Sequence, residues 1–348
     1  MMAGGIIAYL GELFRGAKGF DFIKGNLLMY RASKKVDIKD AFFNVELKPV
    51  FIESESSEDM FCDGYEKLPR HFAVMDLSNN LAFSVVTNDY KLILNEEAYR
   101  LAASVMEEVF EFVTFENMEC LNLIMPRTRS FCHMDLIHSS LEFEVFPDEK
   151  WMPFVRVTNS YNRTRRLKFE IGFCRLFNFS SIILEEKSVE ISFAHTRRLD
   201  DEVKNWAENL GQIKEMERLL IEQVNNLQRF HIPSKFMLPL ACKVFGVDRP
   251  KDDSDQYKLD VFYNFSNSIE SLVQEYFSDM GEQGFAALNI LMDYASYPDS
   301  DRNKQGGIDS MQRKVGHWID EFVNAIEKRD FRFEKYLEKQ LGSLNEIG

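Results

Sequence analysis

The chain has 348 residues, of which 45% are hydrophobic and 28% charged, and its formal net charge is −14. These proportions are typical of a globular protein and exclude a wholly disordered one. The acidic total also excludes a protein that binds duplex nucleic acid over its whole surface, but it leaves room for a local basic groove, since net charge does not say where the charges lie.

The first residues and the cysteines bear on cellular location. The N-terminal segment is apolar only from Ile6 to Leu10, too short for a signal peptide or a membrane span, and no apolar run long enough to cross a membrane follows. The five cysteines are scattered without a CxxC pair, which is typical of reduced, buried thiols. We therefore expect a cytoplasmic protein without a membrane partner.

Alternating apolar residues predict strands in the first half of the chain at 42–52, 71–76, 81–86, 119–125 and 140–146. The turn sequence Ser78-Asn79-Asn80 predicts that the second and third of these form a hairpin. Apolar positions at helical spacing predict a helix from Asn95 to about Phe112.

The second half of the chain begins with a predicted meander. Between Trp151 and His195 the pattern predicts three strands, at 154–157, 167–177 and 189–193. A long helix is predicted over 200–229, Pro233 ends it, and the chain is predicted to be helical from Lys235 onward. These elements predict an α+β protein, with a mainly antiparallel sheet packed with helices, followed by a helical C-terminal region.

The length predicts one large domain or two medium ones. We divide the chain into a helical or irregular N-terminal segment (1–36), an α+β core domain (37–232) and a helical C-terminal region (233–348). No internal repeat and no low-complexity tract interrupts this division.

Basic charge is concentrated between Trp151 and Arg175, where six basic residues accompany one acid, Glu170, while the rest of the chain carries −19. Arginines and an aromatic side chain on a hairpin can hold a phosphate backbone and stack bases. The residues predicted to bind nucleic acid are Arg156, Tyr161, Arg163, Arg165, Arg166, Lys168 and Arg175. The alternative is a solvated hairpin face whose charges pair with acidic residues elsewhere.

Side-chain alternation divides the second strand of this hairpin into two faces. Arg166 and Lys168 share one face, whereas the other face carries Leu167, Phe169, Ile171 and Phe173. The phenylalanines are therefore predicted to lie in the core and not to act as stacking platforms for bases.

Other constellations of reactive side chains give weaker signals. Cys132, His133, Asp135 and His138 lie within seven residues, but zinc sites usually need paired thiolates, and a strand would place the two histidines on opposite faces. We interpret these four as ordinary loop and core residues. The sequence shows no nucleophile elbow and no glycine-rich phosphate loop. It therefore predicts no metal, no cofactor and no catalytic residue.

The predicted helix over 200–229 has apolar residues at a spacing close to 3.5. Such spacing is typical of a helix that packs on a sheet or against a partner helix. We expect a homo-oligomer whose interface residues are Trp206, Leu210, Ile213, Leu220, Val224 and Leu227.

Two segments carry a familiar order of residues. In 71–100 these residues are Leu81, Val85, Tyr90, Asn95, Glu97 and Ala98, and in 157–195 they are Asn159-Ser160-Tyr161, Gly172-Phe173 and Arg175-Leu176. With them the chain resembles the DUF932 phage/plasmid-like family, to whose late helix Asn289, Asp293 and Tyr294 are faintly similar. The family continues with a Cys and an Asn-Gly pair where this chain reads Phe177 to Ser181.

The resemblance implies a protein carried by phages, prophages or plasmids in a bacterial cell, without an established enzymatic activity. We expect a non-enzymatic protein that handles nucleic acid, binding or annealing single-stranded DNA through the basic hairpin. The basic meander followed by a long helix also loosely resembles ring-forming annealing proteins. The alternative is a protein–protein antagonist of a host defence or nucleic-acid-processing system, which the acidic excess and the abundant Phe, Tyr and Met favour.

Overall fold

The computed structural model describes residues 37–53, 65–110, 112–126, 128–184, 191–193, 195, 213–250, 256–296 and 307–345. Over these residues the protein is α+β, as predicted, with two antiparallel sheets and a helical C-terminal region. The strands are β1 (Val45–Glu53), β2 (Tyr65–Asp76), β3 (Leu81–Thr87), β4 (Glu119–Ile124), β5 (Phe131–Ile137), β6 (Phe143–Phe146), β7 (Glu149–Ser160), β8 (Leu167–Arg175), β9 (Ser181–Ile182) and β10 (Ile191–Phe193). The helices are α1 (Asn95–Val109), α2 (Ile213–Gln228), α3 (Met237–Phe245), α4 (Gln256–Met280), α5 (Gly284–Ser296), α6 (Ile308–Ile326), α7 (Phe333–Tyr336) and α8 (Glu338–Asn345).

The smaller sheet has three antiparallel strands in the order β1-β2-β3. Its predicted hairpin is confirmed: the Asp76 carboxylate, at the end of β2, accepts a hydrogen bond from the backbone N–H of Ser78 at 2.9 Å. In the same turn Asn80 has a φ of 50°, in the left-handed region that Asn tolerates better than most residues. The turn residues therefore fix the register in which β3 returns along β2.

The larger sheet has seven strands, with the order β10-β8-β7-β5-β4, β6 beside β7 and β9 beside β8. The predicted meander is confirmed, because β7, β8 and β10 are neighbours in this order. Sequence analysis missed β5, which lies between β7 and β4 and whose residues we interpreted as loop and core. Its alternation places His133 and Asp135 on one face, and polar residues in a central strand conflict with the usual pattern of burial.

The two faces of the larger sheet are covered by different helices. On one face, the Asn159 amide of β7 donates hydrogen bonds to the Ile93 carbonyl and to the Asn95 side chain, both at 2.9 Å, so α1 covers this side. On the other face, the Arg156 guanidinium reaches Gln312 of α6 at 2.8 Å. Because residues of odd and even number point to opposite sides of a strand, β7 connects the two layers.

One buried cluster joins the larger sheet to the C-terminal helices. It contains Trp151 and Phe169 from the sheet together with Phe285 from α5 and Trp318 from α6. The predicted boundary at 232/233 therefore does not separate two hydrophobic cores, and the division into domains stays a prediction. None of the described helices is both long enough and apolar enough to cross a membrane.

The helix predicted to form an oligomer interface contributes to this core instead. Its residues Ile213, Leu220, Val224 and Leu227 are at most 1% exposed within a single chain. The predicted interface is therefore wrong for these four residues, because their apolar stripe is already covered by the chain's own core. Trp206 and Leu210 lie outside the described residues.

Candidate functional site

The structure divides the seven residues predicted to bind nucleic acid into two groups. The first group lies in the interior, at most 3% exposed, and consists of Arg156, Tyr161 and Arg175. The second group lies at the turn between β7 and β8 and at the start of β8. Three of its arginines are exposed and its lysine is half-buried; we call Arg163, Arg165, Arg166 and Lys168 the basic tip.

Arg156 is not available to a ligand at the surface. Its Nε and Nη2 atoms donate to the two oxygens of Asp135 at 2.6 and 2.7 Å, and its Nη1 donates to Asp309 at 3.0 Å. Burial alone favours the neutral guanidine, but the Asp135 and Asp309 carboxylates raise the pKa of Arg156 above its usual value. The prediction that Arg156 binds nucleic acid is therefore wrong, because its donors are used inside the protein.

The predictions that Arg175 and Tyr161 bind nucleic acid are wrong for similar reasons. The Arg175 guanidinium donates to both oxygens of Glu149 at 2.6 and 2.8 Å. The Tyr161 hydroxyl accepts a hydrogen bond from the backbone N–H of Asn95 at 2.8 Å, and its ring stacks on Phe83 of β3 with centroids 5.4 Å apart. Tyr161 therefore ties the two sheets together and presents no face to a base.

The turn that carries the basic tip has a defined backbone. The Ser160 hydroxyl donates to the Arg165 carbonyl at 2.8 Å and accepts from the Arg165 N–H at 3.1 Å. Arg163 has a φ of 62°, the left-handed region that lets the chain reverse. The Arg165 guanidinium lies 4.6 Å from the centroid of the Phe131 ring, a cation–π distance that orients it against the end of β5.

A row of polar residues crosses the sheet beside this turn. The strand registers pair His133 with Thr158, Thr158 with Lys168, and Lys168 with Ser192, so that the row runs over β5, β7, β8 and β10. Together with Arg165, Arg166 and Asp309 these four side chains line a cavity of about 180 Å³. The predicted basic hairpin therefore borders a recess whose lining side chains, apart from the Asp309 carboxylate, can donate hydrogen bonds.

His133 forms the buried part of this cavity. It is 2% exposed, its Nδ1 lies 2.7 Å from the Thr158 hydroxyl, and its Nε2 has no hydrogen-bond partner in the part of the chain that the structure describes. Burial lowers the pKa of His133 to about 3; Asp309 opposes this shift, while Arg156, Arg165 and Lys168 add to it. The imidazole is therefore neutral at physiological pH, with one nitrogen left for a ligand.

A second polar row lies next to the first, deeper under α6. In it Asn122, Asp135, Arg156 and Glu170 are successive partners across β4, β5, β7 and β8. Arg313 of α6 pairs with Glu170, and Lys168 also reaches Glu170, at 3.0 Å. This row attaches α6, and with it Asp309, to the sheet beside the cavity.

The charges around the cavity do not cancel. Among the side chains that line the cavity, one carboxylate (Asp309) faces three cations: Arg165, Arg166 and Lys168. Burial opposes the ionisation of Asp309, but Arg156 and its other neighbours hold the pKa of Asp309 below its usual value. The cavity is therefore suited to an anion and not to a cation. No cluster of three or more metal-ligating side chains occurs among the described residues.

Four residues of the cavity were not predicted as site residues: His133, Thr158, Ser192 and Asp309. His133 and Thr158 belong to strands, so a correct prediction of β5 would have shown which face of its strand each residue occupies. The register that pairs them does not follow from alternation. No local pattern could have shown Asp309, because it arrives from α6, 153 residues after its partner Arg156.

Comparison with known proteins gives no relative. No protein-family model matches the chain, and neither a curated protein nor a solved structure matches it. The resemblance to the DUF932 family therefore stays a prediction, and function is inferred from the chemistry of the site.

Proposed function

We propose that this protein handles nucleic acid without enzymatic chemistry, binding single-stranded DNA through the basic tip. The observation that supports the proposal is the exposure of Arg163, Arg165 and Arg166 on one tight turn, while the other arginines of the hairpin are buried in ion pairs. Guanidinium groups make paired, charge-assisted hydrogen bonds with phosphate oxygens. A turn that carries three of them can follow successive phosphates of one strand.

The acidic remainder of the chain limits how the DNA binds. The net charge of −14 repels a phosphate backbone from most of the surface, so that attraction is confined to the basic tip. Such a small contact favours a flexible single strand, which can bend towards one turn, over a stiff duplex that needs a long basic face.

Salt dependence of DNA binding tests the proposal. Filter binding of a labelled oligothymidine should weaken steeply with salt, and the triple variant R163A/R165A/R166A should reduce the slope of log K against log salt by about 2, since each phosphate contact on a single strand contributes about 0.7. The matched control R100A/R218A/K339A also removes three positive charges from exposed side chains on α1, α2 and α8. It should leave the slope unchanged, and absence of binding by the wild type at about 50 mM salt would refute the proposal.

The proposal includes the cellular setting expected from the sequence. We place the protein in the bacterial cytoplasm as the product of a mobile element; the four described cysteines, Cys120, Cys132, Cys174 and Cys242, are buried free thiols, in line with a reducing compartment. We also propose that the protein forms a homo-oligomer, through a surface other than the buried apolar residues of α2. Light scattering of the purified chain at micromolar concentration measures its mass directly, and a monomer would contradict this part.

A further inference from the structure

A DNA strand that contacts the basic tip through its internal phosphates has no use for the cavity beside that tip. Its floor is the polar row on the sheet, and its back is the first turn of α6 with Asp309. A phosphodiester inside a strand must leave such a recess by two ester bonds, whereas a terminal phosphate leaves by one. A recess closed on these two sides therefore suits the end of a chain.

We propose that this cavity binds the terminal phosphate monoester of a nucleic-acid strand. The inference rests on the proposed function, since it takes the DNA to be held by the basic tip, and it assigns to the cavity the recognition of the strand's end. Either end of a strand can carry such a phosphate, so the chemistry is shared by 5′ and 3′ phosphates.

The unpartnered nitrogen of His133 is the first observation that supports a ligand here. A buried polar atom without a hydrogen bond is costly, so such atoms in folded proteins usually have a partner. When the Thr158 hydroxyl donates to Nδ1, the ring proton lies on Nε2 and can be donated to a phosphate oxygen. The bond across β5 and β7 thus holds the imidazole in the orientation that a ligand would use.

The second observation is the charge and size of the cavity. Arg165 and Arg166 lie at its mouth, where two guanidinium groups can neutralise the two negative charges of a phosphate monoester. The volume of about 180 Å³ is several times the ~30 Å³ that a water molecule occupies in the liquid, so a polyatomic anion fits. The first turn of α6 adds a partial positive charge at the same place.

Asp309 is the acidic side chain among the residues that line the cavity. One oxygen of its carboxylate accepts from Arg156 at 3.0 Å and the other from Nε of Arg313 at 3.3 Å, so its charge is already compensated. A dianion placed against His133, Thr158 and the basic tip is attracted without displacing these pairs.

The test compares one oligonucleotide with a 5′ phosphate, a 3′ phosphate or hydroxyl groups at both ends, by competition in fluorescence anisotropy. We expect one phosphorylated form to bind at least about tenfold more tightly than the hydroxyl form, since it gains several charge-assisted hydrogen bonds. The variant H133F should lose this preference while it binds the hydroxyl form as the wild type does. R163A is the matched control: Arg163 does not line the cavity, so the variant should weaken all three forms equally.

The possible results separate the two proposals. Equal binding of all three forms by the wild type overturns the end-recognition site but leaves DNA binding standing, whereas no binding of any form refutes the proposed function itself. A preference that persists in folded H133F overturns the assignment to this cavity. If circular dichroism shows that H133F is unfolded, T158V takes its place: it keeps the size of the side chain, removes the hydroxyl that orients the imidazole, and should reduce the preference in the same way.

Discussion

Arg156 and Asp135 form a two-pronged ion pair across strands β7 and β5, with Nε–Oδ1 and Nη2–Oδ2 distances of 2.6 and 2.7 Å and with neither side chain exposed to solvent. The same guanidinium extends to Asp309 and Gln312 of α6. One side chain thus connects two neighbouring strands to a helix that follows more than 150 residues later. It is a structural link between the sheet and the C-terminal helices, on which the geometry of the neighbouring cavity depends.

Loss of this link should be costly. R156M fills a similar volume but leaves the Asp135 and Asp309 carboxylates buried without their cation, and removal of one partner of a buried pair typically costs about 3–5 kcal/mol. We expect the free energy of unfolding, measured by urea denaturation, to fall by that amount. R166M, which changes an exposed arginine of the basic tip, should alter it by less than about 0.5 kcal/mol. Equal stabilities of the two variants would show that the Arg156 network does not hold the fold.

A second prediction concerns the close approach of α6 to the chain after β9. A Cβ atom added at Gly316 would lie far inside contact distance of the Ile183 carbonyl oxygen, a backbone atom that cannot turn away. G316A should therefore destabilise the protein by about 1–3 kcal/mol, even though alanine favours a helix. G342A in α8 is the matched control, since nothing lies within 4 Å of its added Cβ, and it should be neutral or stabilise by up to about 1 kcal/mol. Thermal unfolding of both variants measures the contrast, and a stable G316A would mean that α6 can move off the sheet.

The meander shows which structural features can be predicted from this sequence. Alternation along β8 predicted that Phe169 and Phe173 face the core, and both are fully buried. Such patterns are local: a period of two residues is a property of the strand itself and does not depend on what covers it. The α+β class follows from the same local signals.

Whether an individual arginine is buried or exposed could not be predicted from such local patterns. Arg156 and Arg166 are alike in the sequence, but one is enclosed by carboxylates and the other is exposed. The difference arises from α6, whose Asp309 and Gln312 come to Arg156 only when the helix packs on the sheet. Burial of a charge therefore depends on tertiary contacts between distant segments, and these leave no trace in composition or spacing.

Tyr161 gives a prediction that separates stability from binding. Its hydroxyl accepts the backbone N–H of Asn95 at 2.8 Å, so Y161F leaves that donor without its partner and should lower the free energy of unfolding by about 1–3 kcal/mol. The ring is buried against Phe83, so the affinity for single-stranded DNA should not change. R166A should show the opposite behaviour, with weaker binding and unchanged stability. If folded Y161F bound DNA more weakly than the wild type, Tyr161 would take part in DNA binding after all.

His133 should make the stability of the protein depend on pH. Burial, which Asp309 opposes and which Arg156, Arg165 and Lys168 reinforce, lowers the pKa of its imidazole in the folded state to about 3, whereas the unfolded chain has the usual value of about 6.5. Between these two values the unfolded state binds a proton that the folded state does not, so the free energy of unfolding falls as the pH decreases, by about 1.4 kcal/mol per pH unit.

Urea denaturation between about pH 6.5 and 4.5 covers the part of this range above the titration of most carboxylates. The wild type should lose about 2 kcal/mol more than H133F over that interval, because the phenylalanine cannot take up the proton in the unfolded state. Parallel curves for wild type and H133F would mean that the imidazole is protonated in the folded protein, and the cavity would then present a cation and not a neutral donor to its ligand.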